Sequence, residues 1–396
     1  MPSDSASRFQ TKNVLILSGG HFVNDAFASF LSPFLPLIIE KFGLSMTMAG
    51  FLTVAFRLPS LLNPVIGYIS DIIDIRVLAL VAPAATAASM SLLGVAPNYV
   101  TVCVLLLLAG MCSSLFHIVG PVMVAHVSGN DLGRGMSYWM TGAEVSRTIA
   151  PLLAVLTVSI WGFEDSYPVM LVGIAAGILI YVNLRGLERP SSMKDEQKVE
   201  RIWHMMRRII APLTMLLLCR AFLITGFVAF LPTYMVSLDQ TLWVGGAMLA
   251  LFELAGIAGA LSGGTVSDRF GRRTILLVTL PLSSLFMLAF VYLSGWAKVP
   301  CIMFLGISAF SIMPVTMAVL YDSCGTNRGA ANGIFMTINF VSTAVVTLFI
   351  GWLVDLTGFT VTLTVNALMG ILCVPVIFFL PRQVANGSPY RKGGSE

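Results

Sequence analysis

Twelve apolar stretches, bounded by Gly, Pro, Asn or charged residues, occupy almost the whole chain. They fall at roughly 13–39, 45–69, 77–96, 99–127, 135–160 and 166–184, then at 209–236, 242–266, 274–294, 299–321, 330–354 and 360–380. Each comes near the ~20 residues that a bilayer-spanning helix needs. The hydrocarbon core offers no water to backbone N–H and C=O groups, so such segments must satisfy them internally as helices. The expected fold is therefore an all-α membrane protein with twelve transmembrane helices. Composition agrees: 57% of residues are hydrophobic and 11% charged, against about 25% charged in a globular domain. No stretch is left for a sizeable soluble catalytic domain.

The spans are arranged as six, a linker and six more. We read a tail at 1–12, a six-helix bundle at 13–184, a charged linker at 185–208, a second bundle at 209–380 and a tail at 381–396. Arg8 and Lys12 before the first run, with Ala26-Phe27-Ala28 inside it, have a signal-peptide look; the apolar residues continuing past Ala28 predict a retained helix. Of 23 basic residues, 18 fall in the tails, the linker and the connections on one side, and only Lys41 and Lys298 on the other. Lys and Arg resist translocation, so both termini and the linker are expected to be cytoplasmic, in the inner (plasma) membrane. Within the linker, Trp203 to Arg208 is basic and partly amphipathic and suits either the membrane surface or solvent. A net charge of +4 is too small to indicate nucleic acid.

Cys103, Cys112, Cys219, Cys301, Cys324 and Cys373 lie in or at the ends of apolar runs, with no C-x-x-C pair and no His at metal-ligand spacing. Neither a disulfide framework nor a metal site is expected, and the cysteines should pack as small apolar side chains.

Sliding one half of the chain over the other reveals a repeat. Phe34-Leu-Pro36 recurs as Phe230-Leu-Pro232 at an offset of 196, and Gly67-Tyr-Ile-Ser-Asp71 as Gly264-Thr-Val-Ser-Asp268 at an offset of 197. Duplicated bundles of this kind build carriers that hold solute near the midplane where the halves meet.

Gly264-Thr-Val-Ser-Asp268-Arg269-Phe-Gly271-Arg272-Arg273 is similar to the G-x-x-x-D-R-x-G-R-R loop signature of the major facilitator superfamily. In the first copy Ile72 and Asp74 stand where the second has Arg269 and Gly271. His21-Phe-Val-Asn24-Asp25 and Ser113-Ser-Leu-Phe-His117 resemble the fosmidomycin-resistance group of drug exporters within that superfamily. The segment Gly142 to Pro151 resembles the antiporter motif of proton-coupled exporters, with Glu144 and Arg147 at positions where small or neutral residues are expected. The resemblance implies two pseudo-symmetric bundles, alternating access and a monomeric working unit. It also implies gating by the loop residues Asp268, Arg269, Arg272 and Arg273, and more weakly by Asp71 and Arg76, which would pair in one state and separate in another.

Six ionisable side chains other than His fall well inside the spans: Asp25, Arg57, Glu144, Arg147, Arg220 and Glu253. At a helix centre each Asp or Arg costs on the order of 2.5–3.5 kcal/mol, so these groups are expected to face a wet cavity or one another. Arg57, Arg147 and Arg220 can grip carboxylate or phosphonate oxygens in a fork and are the substrate-binding candidates, together with His117 and Asn24. Asp25, Glu144, Glu253 and His21 are the proton-coupling candidates, because substrate competing for a neighbouring Arg favours proton uptake by the released carboxylate. Glu144 with Arg147 and His21 with Asp25 stand three and four apart. Arg57 and Glu253 are related by the offset of 196, so a bridge between them is expected. Each of these pairs also has a plainer reading as a clamp that fixes helix register.

Read together, these residues predict a secondary transporter that exports a small amphipathic or anionic compound in exchange for protons. The alternative is an uptake or exchange carrier for an organic anion such as a carboxylate or sugar phosphate. The partners expected are a small-molecule substrate, protons and membrane lipid, with no cofactor. An enzyme is not expected: G-x-x-x-x-G-K-[ST], G-x-S-x-G and H-E-x-x-H are all absent. An intramembrane Asp/His hydrolase and a solute-sensing receptor are the competing classes, and neither would exchange labelled solute across a membrane.

Overall fold

The computed structural model of the protein describes residues 9–129, 131–187, 209–324 and 328–380, and all regular structure among them is helical. The first half contains α1 (Thr11–Ala28), α2 (Leu31–Phe42), α3 (Met46–Arg57), α4 (Asn63–Ile72), α5 (Arg76–Ser91), α6 (Tyr99–Ser128), α7 (Leu132–Trp161) and α8 (Met170–Leu184). The second contains α9 (Ile210–Arg220), α10 (Gly226–Ser237), α11 (Leu242–Phe270), α12 (Arg272–Tyr292), α13 (Lys298–Cys324) and α14 (Arg328–Leu372). Most of the linker, including Trp203 to Arg208, and the tails at 1–8 and 381–396 lie outside the described residues.

Ten helical stretches are long and apolar enough to cross a membrane. Arg76–Ser91 is a shorter apolar crossing, and the 46-residue stretch Ile334–Phe379 contains two, because Gly358 breaks it with φ 78°. Counted in this way the described residues hold twelve apolar helical segments, the number expected. Local chemistry sets their ends. Gly43 closes α2 in the left-handed conformation at φ 59°, which costs Gly no Cβ clash. Ser45 opens α3 by accepting the Met48 N–H at 3.2 Å, and Asn98 opens α6 by accepting the Thr101 N–H at 2.9 Å.

The repeat is visible in the backbone. Phe34-Leu-Pro36 and Phe230-Leu-Pro232 are buried in α2 and α10, each just after an interruption. In the first half the chain turns at Ser29 and Phe30, while in the second the π-helical turn Ala221–Thr225 joins α9 to α10. Asp25 and Arg220 therefore sit on the last turns before two matching breaks. Interruptions of this kind are common at functional sites in membrane helices.

The chain forms two compact units. The first comprises the residues up to 196 with 225–254 and 343–362. Its centre is α1, which packs against α5, α6, α7 and α8 around Val14, Leu17, Leu80, Phe116, Trp139 and Ile180. Lipid tails are as apolar as Leu, so close packing rather than water exclusion holds such helices together. Small residues allow it. A Cβ on Gly142 would lie 2.4 Å from the Ser18 carbonyl oxygen, and one on Gly120 would lie 2.2 Å from the Trp139 ring. These two glycines bring α7 onto α1 and seat the indole against α6. Within the same unit α2 packs on α10, where the Ser32 hydroxyl donates to the Val228 carbonyl at 2.6 Å.

The second unit comprises 197–224, 255–342 and the residues from 363. There α12 packs along α13, joined by the buried Ser283 to Ser308 hydroxyl bond at 3.0 Å. Cys219 and Cys373 form a disulfide, their Cα atoms 6.5 Å apart. This corrects the expectation that all six cysteines pack as free side chains. The two are separated by 154 residues, so no spacing pattern signals a bond that only the packing of their helices creates. Cys103, Cys112 and Cys301 are free.

Candidate functional site

The first unit gathers most of the costly ions. His21 on α1 stacks on Trp139 of α7, with ring centroids 3.9 Å apart, and its Nδ1–H donates to the Trp139 carbonyl at 2.9 Å. His117 on α6 makes the matching bond, Nδ1–H to the Ser113 carbonyl one turn back, at 2.8 Å. A carbonyl oxygen can only accept, so these two bonds fix both tautomers and leave each Nε2 with its lone pair in the neutral ring. The two Nε2 atoms are 3.2 Å apart. Asp25 closes the triangle, with Oδ2 3.4 Å from His21 Nε2 and Oδ1 3.2 Å from His117 Nε2.

Asn24 holds this triangle in place. It is fully buried; its amide donates to Asp25 Oδ1 at 3.0 Å and to the Ser113 hydroxyl at 3.1 Å, and its carbonyl accepts from Thr86 at 3.1 Å. One side chain thus ties α1 to α5 and α6. Asn24, a substrate-binding candidate, has its amide and its carbonyl engaged with these protein groups.

One turn after Trp139, Glu144 and Arg147 form the expected ion pair along α7. Arg147 also acts electrostatically on both histidines and on Arg57. Arg57, at the last turn of α3, is exposed and lies within the electrostatic reach of Glu253, which is buried on α11. Asp25, His21, His117, Glu144, Arg147, Arg57 and Glu253 therefore belong to one electrostatic neighbourhood inside one unit.

Arg220 belongs to the second unit, where its Nη1 points to Asn339 Oδ1 of α14 at 3.5 Å. The loop residues of that unit form their own network. Arg272 pairs with Asp268 at 2.5 Å and Asp322 at 3.4 Å and donates to the Ser267 hydroxyl at 2.5 Å. Arg273 donates to the Phe378 carbonyl at 3.1 Å, while Arg269 lies over the Phe270 ring. In the first copy Arg76 pairs with Asp74 at 2.5 Å and donates to the Leu187 carbonyl. The side chain of Asp71 lies outside the described residues.

Sequence reasoning missed Trp139, Thr86, Asn339 and Asp322. Ser113 had a signal, being four residues before His117 on one helix face. Trp139 had none, since its partner His21 is 118 residues away. The grouping of His21, Asp25 and His117, whose ligand atoms all lie within 4.8 Å of one another, is likewise invisible to spacing along the chain.

Comparison with known proteins agrees with this picture. The Major Facilitator Superfamily family profile matches residues 17–323. The MFS-type transporter YfnC of Bacillus subtilis (strain 168) is 23% identical, over 93% of this chain and 92% of that one. The fosmidomycin resistance protein of Escherichia coli (strain K12) is 24% identical, over 91% of each. Among solved structures, a bacterial homolog to the human lysosomal transporter Spinster, in an inward-facing and occupied conformation, superposes with a TM-score of 0.82. It is 12% identical and is matched over 94% of this chain and 97% of that one. The proteins it matches are transporters and not enzymes. A twelve-crossing helical chain with a duplicated half, the Asp268 to Arg273 loop network and a family match over most of its length belongs to the Major Facilitator Superfamily.

Proposed function

We propose that this protein is a proton-coupled exporter of a small amphipathic or anionic compound. The observation that carries the proposal is the Glu144 to Arg147 pair, whose arginine also acts on Arg57, His21 and His117. An anion that takes the Arg147 guanidinium leaves Glu144 without its counter-charge, and a proton then neutralises the carboxylate. Solute binding thereby favours proton uptake through one side chain; taken alone that is the linkage of co-transport and suits the uptake alternative, so export in exchange for protons leans on the fosmidomycin resistance protein among the relatives. Arg57 and Arg220 serve as further anion-binding groups, and Glu253 and Asp25 as further carboxylates in the coupling. Asn24 is a positioning residue for Asp25.

The fosmidomycin resistance protein among the relatives supports the export direction. The distribution of Lys and Arg supports cytoplasmic termini in the inner membrane, and the family resemblance suggests the monomer as the working unit. Asp268, Arg269, Arg272, Arg273, Asp71 and Arg76 act as the gating set.

Reconstituted protein tests this reading. Counterflow of labelled solute in liposomes, screened with fosmidomycin, phosphonates, carboxylates and sugar phosphates, should give exchange with one anionic class. A pH gradient should drive it in wild type and not in Glu144→Gln. Arg220→Gln should weaken binding in a thermal-shift titration. Exchange that ignores the gradient in wild type would overturn the coupling. Loss of growth on one nutrient after gene deletion, in place of drug sensitivity, would favour the uptake carrier.

A further inference from the structure

Two imidazole nitrogens and the two oxygens of one carboxylate face one another, all acceptors while both rings are neutral. His21 and His117 have each committed Nδ1–H to a backbone carbonyl, so their Nε2 lone pairs and the Asp25 carboxylate converge, with separations of 3.2, 3.2 and 3.4 Å. Such a set repels itself unless something positive stands inside it. A proton on His117 Nε2 faces both Asp25 and His21 and leaves the His21 to Asp25 contact without one. A four-coordinate cation satisfies all three contacts.

The spacing is near that of a tetrahedral metal site, each imidazole facing its own oxygen of the Asp25 carboxylate. Zinc binds imidazole nitrogen and carboxylate oxygen at about 2.0–2.2 Å, which puts the ligand atoms of a tetrahedron about 3.3 Å apart. The surrounding shell is of the kind metal sites use: each imidazole donates its other N–H to a backbone carbonyl, which fixes ring and tautomer, and the carboxylate is held by the Asn24 amide. All three ligands stand on the continuous helices α1 and α6, with His21 further clamped on Trp139. The side chains differ in exposure in one direction: His21 is 4% exposed, Asp25 13% and His117 40%. The cluster thus has a closed back at His21 and an open face at His117.

We propose that His21, Asp25 and His117 form a three-ligand site for a divalent transition-metal ion of the zinc class, with the fourth position open on the His117 side. Two imidazoles and one carboxylate leave a bound dication with one uncompensated positive charge. The open position therefore suits water or an oxygen donor of an anionic solute. The proposal rests on the reading of this unit as part of the solute path; it narrows the solute to an anion able to coordinate a metal, and with the ion bound it leaves the coupling proton to Glu144 and Glu253, because a ligating Asp25 stays deprotonated.

Cobalt(II) titration of the purified full-length protein in detergent tests it, because four-coordinate cobalt absorbs strongly in the visible and six-coordinate cobalt does not. Wild type should bind one equivalent with that signature, and zinc should displace it. His117→Gln, at the exposed ligand, and Asp25→Asn should each lose affinity by no less than the roughly 10- to 100-fold that outer-shell changes cost at metal sites. His126→Gln should bind like wild type. Gel filtration and circular dichroism identify any variant that fails to fold, and His117→Gln is the variant least exposed to that failure. Absence of the four-coordinate signature in wild type, or unchanged affinity in His117→Gln, overturns the site. Counterflow separates this from the transport reading: exchange that persists in chelator-treated liposomes, with no cobalt signature, removes the metal and leaves the transporter. A cobalt signature in protein that exchanges none of the screened solutes does the reverse.

Discussion

The carboxylate of Asp355 caps the helix that begins at Met46, across 308 residues of chain from Thr47. Its oxygens accept the Met46 N–H at 2.7 Å, the Thr47 N–H at 2.8 Å and the Thr47 hydroxyl at 2.6 Å. The first N–H groups of a helix have no partner within it and carry partial positive charge, so an anion there is stabilising. A residue of the second repeat thus completes a helix of the first. Asp355→Ala should cost about 1 kcal/mol, the usual loss of a helix cap, with Asp355→Asn falling between it and wild type. Thermal unfolding in detergent measures the difference, and coincident melts for all three proteins would show that the cap contributes nothing.

Glu144 and Arg147 are a pair whose members should be worth more together than apart. Removing one partner leaves a partly buried charge alone, which is more damaging than removing both. Glu144→Gln and Arg147→Gln should each destabilise the protein more than the double variant does relative to its better single, giving a favourable coupling in a double-mutant cycle. Additive melting shifts would mean that the two side chains are independent.

Helix α7 approaches α1 closely at Gly142. Gly142→Ala puts a methyl group against the Ser18 carbonyl and should cost about 1–3 kcal/mol, as overpacking does. Gly19, on α1, has nothing within 4 Å of its added Cβ. Gly19→Ala should therefore be neutral or stabilising by about 0.5–1 kcal/mol, the helix gain of Ala over Gly. Equal melting temperatures for the two variants would contradict the packing described here.

Arg272 touches Asp268, Asp322 and Ser267 at once. Such a fork cannot be replaced by the point charge of Lys. Arg272→Lys and Arg272→Ala should both slow solute exchange while leaving solute affinity unchanged, as expected of a group that acts on the conformational step and not on the solute. Parallel thermal-shift titrations and counterflow rates separate the two effects, and weakened affinity would move Arg272 into the binding site.

Much of this molecule is legible in one dimension because the bilayer is an unforgiving solvent. Apolar runs of spanning length have to be helices, and Gly43, Gly358, Ser45 and Asn98 mark helix ends by local chemistry that needs no tertiary context. The Phe34 and Phe230 repeats and the Asp268 to Arg273 loop announce the duplication and the family for the same reason. Glu144 with Arg147, and His21 with Asp25, can be read as pairs because helical spacing places them on one face.

What joins those pairs into a site depends on which helices touch, and spacing is silent about that. His117 reaches Asp25 because α6 packs on α1. Both histidines acquire fixed tautomers from backbone carbonyls, one of them 118 residues distant. The same holds for Cys219 with Cys373 and for Asp355 with Thr47. Sequence by itself determined the helices, their repeat and the list of expensive ions. Only the tertiary structure decided which of those ions share a neighbourhood, because a bilayer penalises every unpaired charge alike and leaves the choice of partner to helix packing.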